Sequence, residues 1–175
     1  MKIKHNIALI GLSGCYKTTV GKILAKQLSM LNFDTDEYIE FEYSKTIKAF
    51  FEEYGEKAFR EVESNAIEKT LDFTNVVIST GAGVALNKTN MDNLAKDCYI
   101  VHLTASADTI LNRIESENFR PLLLSPTVES ISCMASVRLP LYRKYADFTV
   151  NTNRRSSEKV AELIIAKLTT IAKEL

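Results

Sequence analysis

The chain carries no excess charge of either sign: 22 lysines and arginines stand against 22 aspartates and glutamates in 175 residues. Without a global field to hold nucleic acid or an anionic membrane, any anion it binds must be gripped by locally gathered basic groups. No segment reaches the roughly 20 consecutive apolar residues of a membrane-spanning helix. The three cysteines, Cys15, Cys98 and Cys133, are odd in number and widely spaced, which fits neither a disulfide framework nor a zinc site and suits a reducing cytoplasm. There is no internal repeat and no low-complexity stretch. The basic start and apolar run of MKIKHNIALIG have the outline of a signal peptide, but the run is short and passes into a glycine motif, so secretion is not expected. With 46% hydrophobic residues, the composition predicts one globular domain over 1–175, monomeric and built around a small ligand.

What is present centres on IALIGLSGCYKTTV, from Ile7 to Val20. A phosphate-binding loop requires glycine, four residues, glycine, lysine, then serine or threonine, because backbone N–H groups must curl around phosphate oxygens at a helix N-terminus. Gly11, Gly14, Lys17 and Thr18 match, while Tyr16 stands where the last glycine belongs. The apolar run before Gly11 reads as a buried strand. Val20, Ile23, Leu24, Leu28 and Leu31 mark one face of a helix beginning at Lys17. Asn32 to Asp34 reads as a second strand, which puts Asp34 and Asp36 at a strand's C-terminal end, where open parallel sheets bind ligands. An aspartate pair at such a point serves equally well to form a turn.

Farther along, Ile47, Phe50, Phe51 and Tyr54 form a helical face ending at Gly55, and a second helix runs over about 56–71. Arg60 and Glu63 are three residues apart on it; from spacing alone a solvated ion pair is the commoner outcome. Val76 to Ile78 and Tyr99 to Leu103 read as strands, the first followed by the glycine turn Ser79-Thr80-Gly81-Ala82-Gly83. Ala107 to Ile114 reads as a helix ending near Arg113. The stretch 116–127, with Arg120-Pro121 and Pro126, reads as a loop able to act as a lid. A helix over 128–145 with a break near Pro140, a strand over 148–150, Arg154 and Arg155, and a final helix opened by a capping box at Ser156 or Ser157 complete an α/β chain with a mostly parallel sheet.

Six pieces in this order resemble shikimate kinase over nearly the whole chain: GLSGCYKTT, Asp34-Thr35-Asp36, Phe59 to Glu63, Ser79 to Gly83, Arg120-Pro121-Leu122-Leu123, and Arg138 to Tyr142. The resemblance implies a three-layer α/β/α P-loop kinase fold with a five-stranded parallel sheet, a substrate-binding region over about 34–63, and transfer of the ATP γ-phosphate to the 3-hydroxyl of shikimate. It implies that Gly11, Leu12, Ser13, Gly14, Cys15, Tyr16, Lys17, Thr18 and Thr19 cradle ATP, with Thr18 and Asp34 holding Mg²⁺. Asp36 would orient the attacking hydroxyl. Arg60 and Arg138 would clamp the shikimate carboxylate beside Gly81, Ala82 and Gly83, with Glu63 steadying Arg60. Arg120 would close on the transferred group, and Arg113 would stack on adenine, with Arg155 nearby. The partners implied are shikimate and ATP, with no nucleic acid and no membrane.

The departures sit at Tyr16, at Ala82 where the family usually has a third glycine, and at Ser157 where some members carry proline. If the backbone at Tyr16 is left-handed, a non-glycine residue there adds strain of about 1–2 kcal/mol. Its ring either fills phosphate space or points away. The alternative to an active kinase is therefore a binding module of this fold that holds a small acid but not ATP.

Overall fold

The computed structural model describes residues 4–116 and 126–174. In chain order the elements are β1 (Asn6–Ile10), α1 (Lys17–Leu28), β2 (Leu31–Asp34), α2 (Thr35–Tyr43), α3 (Ile47–Thr70), β3 (Val76–Ser79), α4 (Lys88–Asp97), β4 (Cys98–Thr104), α5 (Ala107–Ser116), α6 (Val128–Tyr145), β5 (Phe148–Asn151) and α7 (Ser157–Lys173). The five strands form one parallel sheet in the order β2-β3-β1-β4-β5. All of β1 and β3 is buried, as expected of strands covered by helices on both faces. On one side α1 packs against α7, and elsewhere α4 and α6 pack against β4. The chain leaves β1 at the point where strand order reverses, so the loop after β1 and the turn after β3 open on the same C-terminal edge.

Several boundaries differ from the sequence reading. Helix α1 stops at Leu28 because Ser29 turns left-handed at φ 54 and its N–H bonds back to Lys26. Leu31 therefore lies in edge strand β2, 59% exposed, and not on the helix face. At Gly55, by contrast, the expected helix end is met: with φ 78 and ψ 176 it divides α3 into two helical pieces. Pro140 does not break α6: its ring removes the helical donor to Ser136, yet Leu139, Leu141 and Tyr142 pack against the core on either side. The capping box lies at Thr127 and Ser130 of α6. At α7, Ser156 caps the Lys159 N–H, but Lys159 has no acceptor with which to return the bond. Helix α4, absent from the sequence reading, buries Met91 and Leu94 on one face and is capped by Asn87, which accepts from Thr89 and Asn90. Among the described residues no helix is long and apolar enough to cross a membrane.

The cysteines are free thiols, two of them buried, and burial pushes Cys98 up to about 12. His102 on β4 is buried against the ring of Tyr142, centroids 5.1 Å apart. Burial first, then the charges of Arg143 and Lys17, bring its pKa down to about 4. A histidine held neutral in the fold protonates more readily when unfolded. Its contribution is complete above its ordinary value near 6.5 and is lost as pH falls through that value toward 4. The melting temperature should therefore fall between pH 6.5 and 4 more steeply in the wild type than in His102→Gln, by the slope of one bound proton, as a calorimetric pH series would show.

Candidate active site

The loop between β1 and α1 owes its curl to a run of unusual backbone angles. Gly11 has φ 144 and lies so near the Leu103 carbonyl that a Cβ would come within 2.2 Å of that oxygen. Gly14 follows at φ 75 and Tyr16 at φ 69, the latter as N-cap of α1 with a left-handed backbone. Inside the curl Lys17 is buried, and its Nζ donates to the Leu12 carbonyl at 2.9 Å. Leu12 and Cys15 are buried, Ser13 and Thr18 half-buried and Thr19 exposed. The Thr18 hydroxyl donates to Asp34 Oδ2 at 2.7 Å, so a hydroxyl from the first turn of α1 meets a carboxylate from the end of β2.

Asp34 also caps α2: its Oδ1 accepts from the N–H groups of Asp36 at 2.9 Å and Glu37 at 3.2 Å. The two aspartates thus have separate positions, Asp34 toward the phosphate loop and Asp36 toward the turn after β3. A Cβ on Gly81 would lie 3.2 Å from Asp36 Oδ1 and 2.5 Å from Glu63 Oε1, which puts both carboxylates against that glycine. The turn itself is tied down from below. Thr80 Oγ1 donates to the Leu9 carbonyl at 2.9 Å, Ser79 Oγ to the Lys17 carbonyl at 3.1 Å, and Gly81 N–H to Thr35 Oγ1 at 2.9 Å.

Arg60 and Glu63 are not a solvated surface pair. Glu63 is 1% exposed and accepts from Arg60 at 2.8 Å, while the other edge of the guanidinium donates to Glu56 at 3.0 Å. Burial pushes the Glu63 carboxyl up and Arg60 opposes it, and Glu63 Oε1 is buried without a hydrogen-bond partner. Gly83 is what admits Arg60, since a Cβ there would stand 2.0 Å from its Nη1. From the other side α6 brings Arg138 and, one turn later, Tyr142; both donate to the Ala82 carbonyl, Arg138 at 3.3 Å. Burial pushes the Tyr142 phenol up, which keeps it a donor.

Arg113 reaches across from α5. It donates to the Gly14 carbonyl at 2.8 Å, to Thr152 Oγ1 at 3.0 Å and to the Thr152 carbonyl at 2.8 Å, with the Tyr16 ring 3.5 Å from its guanidinium carbon. Arg155 is exposed on the same loop and donates to the Asn151 carbonyl. Arg120 lies outside the described residues, as does most of the expected lid. The sequence reading gave no role to Thr35, Ser79, Thr80, Tyr142 or Thr152. Thr35, Ser79, Thr80 and Tyr142 stood inside recognised motifs, and the signal for Thr152 was only its place directly after a strand.

The edge of the sheet thus holds a phosphate-type loop beside a turn lined by two arginines and two carboxylates. The shikimate kinase family profile matches residues 13–169. The shikimate kinase of Caldicellulosiruptor saccharolyticus is 43% identical over 92% of this chain and 94% of its own. That of Caldicellulosiruptor bescii is 42% identical over the same shares. A solved shikimate kinase from Acinetobacter baumannii in complex with shikimate superposes with a TM-score of 0.91 at 30% identity, covering 95% of this chain and 94% of that one. On the family profile, the relatives and the superposition together, the chain belongs to the shikimate kinase family.

Proposed function

We propose that the site residues divide the work of an ATP-dependent shikimate kinase between the two glycine turns. In the reaction the 3-hydroxyl of shikimate attacks the γ-phosphorus of ATP. The new O–P bond forms as the bond from that phosphorus to the β,γ-bridging oxygen breaks, and ADP leaves. The observation that carries the reading is the facing pair of turns, one around Lys17 and one beside Arg60, Arg138, Asp36 and Glu63.

Lys17 lies along the β- and γ-phosphates, where its ammonium offsets negative charge as the bridging bond breaks. Gly11 to Thr19 supply the surrounding cradle, and Arg113, with Arg155 on the neighbouring loop, faces the nucleotide. Arg60 and Arg138 hold the shikimate carboxylate, the planar fork of each giving two parallel donors, beside Gly81, Ala82 and Gly83. Asp36 orients the 3-hydroxyl and accepts its proton. Arg120 stabilises the transferred group.

Thr18 and Asp34 fit Mg²⁺: they are hard oxygen donors already within hydrogen-bonding distance of each other, and magnesium in kinase sites takes one or two protein oxygens with phosphates and water completing its shell. When bound, the ion supplies charge neutralisation between leaving and transferred groups. The protein acts as a cytoplasmic monomer formed by one domain. The reading as a binding module without nucleotide drew on Tyr16, whose ring is turned onto Arg113.

Steady-state turnover followed by ADP release should depend on both ATP and shikimate in the wild type and be abolished in Lys17→Met; an absence of shikimate-dependent turnover at high ATP would sink the proposal. Gly83→Ala should displace Arg60 and raise the KM for shikimate about 10- to 100-fold, the value of a charged hydrogen-bonded contact, with the KM for ATP unchanged. Tyr142→Phe keeps the ring but removes a donor from the Ala82 carbonyl. Its shikimate KM should rise only about 2- to 10-fold, as for one neutral hydrogen bond.

A further inference from the structure

A tyrosine in left-handed backbone directly before the loop lysine is an expensive choice unless its side chain returns something. Its ring is half-buried, packs against the main core and lies face to face with Arg113. That guanidinium in turn grips the loop from a second point, the Gly14 carbonyl two residues upstream of Tyr16, and is anchored by two bonds to Thr152 after β5. Tyr16 side chain, Arg113 and Gly14 carbonyl thus close a ring of contacts around the loop's second half, fastened to the sheet's far strand.

We propose that Tyr16 is a positioning residue for nucleotide binding: its ring, stacked on Arg113, clamps the phosphate loop in the curled conformation that glycine reaches by conformational freedom alone. This rests on the kinase reading for the identity of the anion. Freed of Cβ, a glycine at this position adopts φ near 69 without strain but does nothing to keep the loop there. Tyrosine costs more locally and removes that freedom, because the cation–π contact holds only while the loop is curled. The anion then meets N–H groups that are already aligned, and less ordering is left for the binding step.

Calorimetric titration with ADP and with inorganic tripolyphosphate tests this without requiring turnover. Tyr16→Ala keeps the left-handed cost and loses the ring; it should weaken both ligands about 5- to 30-fold, the range from an exposed to a desolvated cation–π contact. Tyr16→Phe keeps the ring and should bind both within about twofold of wild type, which a role for the hydroxyl would not allow. In an Arg113→Met background, Tyr16→Ala should cause little further loss, since the ring's partner is already gone. Equal or tighter binding by Tyr16→Ala at an unchanged melting temperature would overturn the clamp and make the ring an obstruction. Weakening of ADP alone, with tripolyphosphate unaffected, would also overturn it, placing the ring's effect on the base and not on the loop. Wild-type protein that binds ADP as stated but shows no shikimate-dependent turnover would fail the kinase reading and leave the clamp standing.

Discussion

Keeping the ammonium of Lys17 buried at the edge of the sheet is the constraint on which the rest of the site depends. A cation removed from water is costly without oxygen partners, and this one has the Leu12 carbonyl at 2.9 Å. To bring a carbonyl five residues upstream around to its own side chain, the chain must turn more sharply than right-handed backbone allows. Gly11, Gly14 and Tyr16 take the positive φ angles that do it. Gly11 is required twice over, for its angle and for its approach to the Leu103 carbonyl, so the loop is seated on β4 as well as β1. An arriving phosphate can take over the role of acceptor from the loop's own carbonyl.

The facing turn solves the opposite electrostatic problem. It gathers two carboxylates against one glycine, and it answers them with arginines arranged in layers. Glu63 is buried to the point of losing one hydrogen-bond partner, and what compensates it is Arg60 at 2.8 Å. A buried pair of this kind is a poor source of stability, and its usefulness lies in direction: Glu63 and Glu56 fix both edges of the guanidinium beside Gly83. Arg138 is fixed from α6 in the same manner, through a carbonyl it shares with Tyr142. The methyl of Ala82 is accommodated because it is the carbonyl of this residue, and not its Cα face, that carries the contacts.

Most of this was legible wherever a residue's identity dictates its geometry. Strand β1, the glycine turns, Lys17 and the ordered motifs could be read because few residues other than glycine tolerate the angles and few patterns place lysine behind them. The Arg60 and Glu63 pair was visible as a spacing, but whether it was solvated or buried depended on Gly83, a neighbour twenty residues away that leaves room for the guanidinium. Helix α4 went unassigned although Met91, Leu94 and Ala95 stand at helical spacing, whereas the true end of α1 escaped because a serine in left-handed backbone leaves no periodic trace. Tyr16 was legible only as a conflict. Its angle could be anticipated from the motif, but the direction of its ring was decided by Arg113, nearly a hundred residues later, and no local rule reaches that far.

The pairing of strands explains why two separately built turns can share one reaction. Leu9 of β1 is in register with Ser79 of β3, and Ser79 with Asp34 of β2, so three connections leave the sheet at one level on adjacent strands. Neighbouring strands lie about 4.8 Å apart. The hydrogen bonds from Thr80 to Leu9 and from Ser79 to Lys17 lock that separation beneath the site. The two turns are therefore held side by side by the ladder spacing of the sheet itself.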